Sequence, residues 1–176
     1  NIIGGNAFIV GISAAISLIV RSVLRVPFGI YADDSQKKSY YLMFYGLLMS
    51  AIIPIGFIFS TLPWHIYLLQ AIFGIGMAMS SAGWTGVFAK YMDRGKESTE
   101  FGFDAVAVGV GPGIAAVLGG AAVTYFSFNL VFIAVTIIGL IGVALLLVIK
   151  SDVLKLDKGK EKGAGQIFIS HDIRKI

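Results

Sequence analysis

Two arginines, Arg21 and Arg25, stand four residues apart inside a long apolar run, and an aspartate, Asp104, stands one turn inside another. A spacing of four puts both guanidiniums on one helical face, together with Leu18 and Ala14. A charge within a membrane span costs roughly 2.5–3.5 kcal/mol at the helix centre, so each of the three needs a partner, an aqueous cavity or a route to the interface. Arg25 lies about two turns from Asp33 and can snorkel, and Arg21 lies one turn deeper. Two accounts of Arg21 follow: a long side chain snorkelling or pairing with an acidic neighbour, or a cavity-facing cation that meets an anionic substrate group or a titrating carboxylate. Asp104 is either an interfacial acid favoured by the helix dipole or, facing Arg25 across a bundle, half of a gate or a proton-linked site. Gln70, Ser80, Trp84 and Thr85 add polar or stacking contacts in a third run, where Ser80 and Trp84 share a face. Close helix packing is the plainer use of that small-residue stretch, and a cavity lining the more functional one.

Enzyme chemistry has little to work with. His65 borders a loop and His171 lies in the tail, with no acid and nucleophile arranged around either. The absence of cysteine removes disulfides, thiolate metal sites and thiol catalysis. The glycine-rich run GVGPGIAAVLGG lacks the lysine of a phosphate loop and lies within an apolar stretch. No catalytic residue, metal or cofactor is expected.

The elements that must position these residues are written in the composition: 57% hydrophobic, 14% charged, and a mean hydropathy of +0.86. A soluble domain carries about a quarter charged residues. Five apolar runs are long enough to cross a bilayer, at about 6–32, 40–61, 64–89, 101–126 and 129–149. They are too long and too unalternating for barrel strands, so the expected fold is all-α, a polytopic transmembrane helical bundle of five spans. Pro112, flanked by Gly109, Gly111 and Gly113, predicts a kink or flexible point in the fourth span, and Gly109 and Gly113 form a small-xxx-small pair.

Twelve of the fourteen Lys and Arg residues lie outside the spans, and all twelve fall after the first, third or fifth span; the two other loops have none. The positive-inside rule then makes loops 33–39 and 90–100 and the tail cytoplasmic, in a cell (inner) membrane. The net charge of +4 is explained by these anchors and their contacts with anionic headgroups, not by a nucleic-acid surface. Trp64, Tyr67, Tyr125 and Phe126 fit an aromatic belt at the opposite ends. The tail, 151–176, reads as a loosely ordered cytoplasmic segment, with IFISHDIRKI a weak amphipathic stretch or disorder. The chain starts at Asn1 without the basic region of a signal peptide, which suggests a truncated start.

GIYADDSQKK, at the turn after the first span, resembles the Gly-x-x-x-Asp-(Arg/Lys)-x-Gly-(Arg/Lys)-(Arg/Lys) loop motif of the major facilitator superfamily. Gly29, Asp33, Lys37 and Lys38 match; Asp34 stands where a cation is usual and Gln36 where a glycine is usual. GVGPGIAAVLGG looks like the glycine–proline motif of the same superfamily, two helices downstream of the loop motif. The texture of residues 83–111 is similar to the C-terminal half of prokaryotic members. The resemblance implies that the five spans are helices eight to twelve of a twelve-helix protein, part of a six-helix half whose partner is the missing N-terminal half of the same protein.

It also implies a secondary active transporter, a symporter or antiporter, that moves a small-molecule substrate through the lipid bilayer by alternating access, driven by protons or another ion. Arg21, Trp84, Ser80 and Gln70 are the expected pathway residues. Gly29, Asp33, Lys37, Lys38, Arg25, Asp104, Gly109, Gly111, Pro112 and Gly113 are the expected gating or conformational ones, with Asp33 set against the N-terminal end of the fourth span. The alternative class is a non-transporting membrane scaffold or receptor-like protein, and a channel is disfavoured for want of a filter sequence.

Overall fold

The computed structural model describes residues 7–93 and 95–172, and side chains through Leu154. Five helices follow one another: α1 (Ala7–Asp33), α2 (Gln36–Ile58), α3 (Pro63–Tyr91), α4 (Glu97–Tyr125) and α5 (Phe128–Asp172). All five contain a stretch long and apolar enough to span a membrane, that of α5 being Phe128–Leu154. The all-α bundle is thus the observed architecture.

Helix boundaries depart from the apolar runs where polar groups finish a helix. Two helices begin four residues before their apolar runs, α2 at Gln36 and α4 at Glu97. For α2 the cause is Ser35, whose Oγ accepts from Lys38 N at 3.2 Å as an N-cap, satisfying a donor that the first turn would leave unpaired. The α1–α2 turn is closed by Ser39 Oγ, which donates to Ala32 O at 2.7 Å. At the start of α4, Glu97 Oε2 accepts from Gly95 N at 2.9 Å and Glu100 Oε1 from Asp93 N at 3.3 Å, where acids also suit the helix dipole. Gly95 has φ +86°, a left-handed conformation that favours glycine, and so makes this turn possible.

Packing centres on α3, which touches α2 on one side and α1 on another, while α2 also packs on α5. The α2–α3 approach is close because glycines line it: a Cβ on Gly76 would come within 2.6 Å of Ser50 Oγ, and one on Gly83 within 2.8 Å of Met43 Cα. Gly74 serves the α1 side in the same way, against Ser17 O. At one end of the bundle, Tyr40, Met43, Val87 and Val153 form a buried cluster from α2, α3 and α5. Within it, Tyr40 Oη donates to Leu146 O at 2.7 Å.

Helix α4 differs from the rest. None of its residues is buried, and it makes only slight contact with α5 and side-chain contacts with α3. It is continuous through Pro112. Helical backbone also runs past residue 149, through Asp172, and Val153 is held in the α2–α3–α5 cluster.

Candidate functional site

Two faces of α3 are taken by its neighbours, and the third carries the candidate site. Gly76 and Gly83 meet α2 and Gly74 meets α1. Gln70, Met77 and Trp84, spaced by seven residues, therefore fall on one strip between those contacts. Gln70 and Met77 are partly exposed and Trp84 is 43% exposed, so the strip is open along its length.

Helix α1 runs parallel to α3 beside this strip and adds two cations in register. Arg21 Nη2 donates to Ser81 Oγ at 3.2 Å, and one turn on, Arg25 Nη2 reaches Thr85 Oγ1 at 3.5 Å, a long contact. Thr85 Oγ1 itself donates to Ser81 O at 2.9 Å, which leaves its lone pairs turned to the guanidinium. Equal spacing of four on both helices produces the two rungs. Ser81 and Thr85 are the partners that inspection of α1 alone could not select; the signal lay in their matching i, i+4 spacing on α3.

Beyond Arg25, the same groove widens into a pocket of about 310 Å³ lined by Arg25, Gly29, Asp33, Thr85, Gly86 and Lys90, among others. Arg25, Gly29 and Asp33 repeat at i, i+4 and i+8, so the loop-motif glycine and aspartate share the arginine's face. In this pocket Asp33 lies with the α3 residues Ala82, Thr85, Gly86, Ala89 and Lys90. Lys37 is exposed. Lys38 forms an ion pair with Asp34 and lies 4.7 Å from the Tyr31 ring centroid, so the acid at the usual cation position is answered one turn later. Gln36, at the usual glycine position, is 1% exposed, and its Nε2 has no hydrogen-bond partner among the described residues.

Asp104 meets Trp84, not Arg25: Trp84 Nε1 donates to Asp104 Oδ1 at 2.9 Å, joining α3 to α4. Trp84 stacks on Phe88 with centroids 5.5 Å apart, and Phe88 meets Phe101 of α4 edge-on at 5.7 Å. These contacts hold the α4 side of the strip. Ser80 lies at the margin of the strip, its backbone N close to where a Cβ on Gly46 would fall. Gly109, Gly111 and Gly113 have open space where a Cβ would be, so the glycine–proline segment makes no close helix approach among the described residues. His65 is structural, its Nδ1 accepting from Thr61 N at 3.3 Å at the start of α3.

The arrangement offers a polar track in an apolar bundle: two guanidiniums, two hydroxyls, an amide and an indole N–H engaged by a carboxylate. Such a track can bind and pass a polar solute. Among the described residues no group of His, Asp or Glu is placed to hold a metal ion.

No curated protein and no solved structure matches the chain. The sequence pattern of the Major Facilitator Superfamily matches residues 1–175. Five membrane-length helices, a loop motif at the α1–α2 turn and this family match over nearly the whole chain agree: the protein is a multi-pass membrane protein of the Major Facilitator Superfamily of transporters.

Proposed function

We propose that the chain forms helices eight to twelve of a secondary active transporter that moves a small solute by alternating access, coupled to protons or another ion. The single observation that carries the reading is the polar track of Arg21, Arg25, Ser81 and Thr85 between two apolar helices. Hydroxyl partners alone do not repay the cost of two charges in a span, whereas a pathway open to water does. Alternating access places such a site at the interface between two helical bundles that rock against each other. The open strip on α3 and the exposed α4 supply a surface for that second bundle, the N-terminal half of the same protein. On this reading the Asp33–Lys90 end is cytoplasmic, because the loop and tail cations gather there.

Asp104 is the proposed coupling carboxylate. Trp84 donates to it, a polar tie between α3 and α4 that a charged acceptor strengthens. Proteoliposomes holding the full-length protein provide the test. An imposed inward proton gradient should drive accumulation of a transported solute, a protonophore should abolish it, and Asp104→Asn should make uptake insensitive to the gradient. Gradient-independent uptake by the unaltered protein would remove the coupling; a bundle that carries no solute under any gradient would be a scaffold instead.

A further inference from the structure

We propose that the solute is a small oxyanion, a dicarboxylate or phosphate-like species, bound between Arg21 and Arg25; the inference rests on the transport reading of the same track. Each guanidinium is a cation with five N–H donors in a fixed fork. Each gives one hydrogen bond to a neutral hydroxyl, Arg21 to Ser81 and Arg25 to Thr85, and the second is at the limit of contact. Neither arginine is in an ion pair among the described residues, where the ion pairs formed are Lys38–Asp34 and Lys96–Asp93. Of the two carboxylates near the track, Asp104 has one oxygen engaged by Trp84, and Asp33 lines the Arg25 pocket opposite a further cation, Lys90.

Cations therefore outnumber acids along the groove, and most guanidinium donors are unspent. The hydroxyls fix the two forks at a separation set by four helical residues, about 6 Å along the axis. Two carboxylates joined by a short chain fit that interval, and a single phosphate fits between the forks through bidentate hydrogen bonds. Gly74 lies level with Ser17 and Val20, and Gly86 with Ala32, so Ser81 and Thr85 hold the two guanidiniums toward the Asp33 end of α1.

The experiment follows thermal unfolding of the purified full-length protein in titrations of succinate, inorganic phosphate and uncharged succinamide, with ionic strength matched by sodium chloride. The expected result is saturable stabilisation by succinate or phosphate and none by succinamide, the stronger anion distinguishing the dicarboxylate from the phosphate arm. Arg21→Gln and Arg25→Gln should each raise the half-saturating concentration at least tenfold, with partial recovery in Arg21→Lys. Ser81→Ala, which keeps both charges and should fold whatever the arginines do, should raise it by a few-fold. Stabilisation by neither anion, or equal stabilisation of the unaltered protein and the glutamine variants, overturns the proposal. So does a fall in anion-free unfolding temperature for both glutamine variants with unchanged anion titrations, which would mean that the arginines are paired within the protein. Anion binding without vesicle uptake would leave the oxyanion site between Arg21 and Arg25 standing and remove the transport reading. Uptake of a neutral or cationic solute unaffected by Arg21→Gln would do the reverse.

Discussion

Arg21 shows how magnitudes separate a structural residue from a functional one. Its placement costs roughly 2.5–3.5 kcal/mol on insertion scales. An interhelical hydrogen bond in a membrane returns about 0.6 kcal/mol on average. The bond to Ser81 therefore orients the guanidinium and leaves most of the cost standing. Arg21→Leu should accordingly abolish uptake while leaving the unfolding temperature equal or higher; a marked loss of thermal stability would mean an internal ion pair. Trp84 and Asp104 separate in a similar way. Trp84→Phe keeps the stack on Phe88 and deletes the N–H, so hydrogen–deuterium exchange along α4 should rise while that of α2 is unchanged. Equal exchange in both forms would show that the indole bond does not tether α4.

Among the helices, similar glycine stripes have different fates. α3 and α4 both carry small residues at four-residue spacing, and in the sequence the two are equally good packing surfaces. Gly76 and Gly83 lie against α2 backbone and side chains, whereas Gly109, Gly111 and Gly113 face open space. Gly83→Val should thus destabilise the bundle by about 1–3 kcal/mol or prevent folding, as overpacking does. Gly111→Ala should leave the stability of these five helices within about 0.5 kcal/mol, since nothing stands where the methyl would go. Thermal unfolding of the two variants side by side checks both. Number and approximate extent of the helices were legible because apolar length is the property a bilayer selects. Which stripe packs was not, because that depends on which helix arrives beside it. Helices α2 and α4 begin four residues before their apolar runs because hydropathy ignores polar first turns, although Ser35 and Glu97 are recognisable as helix-start residues.

In the whole molecule, three helices pack on one another through α3 and α2, α5 joins through α2, and α4 stands nearly free. Residue types on the track were legible from their cost in lipid, and the loop motif located Gly29 and Asp33 on the face that Arg25 shares. The contacts were not: Asp104 meets Trp84 across the α3–α4 junction, and Arg25 meets Thr85 because the register of α1 on α3 is set by Gly74 packing against Ser17 and Val20. Asp33→Asn should slow uptake without changing the amount of protein in the membrane, measured as initial rate against immunodetected protein; an unchanged rate would detach the pocket from gating. Alternating access itself is tested most directly at Met77, midway along α3 on the open strip. The chain contains no cysteine, so Met77→Cys in a full-length protein free of other cysteines gives a single thiol. Labelling with a membrane-impermeant maleimide in right-side-out and inside-out vesicles should succeed from both sides, with saturating substrate shifting the balance between them. Labelling from neither side would mean a dry, packed interface and would contradict a transport pathway along α3.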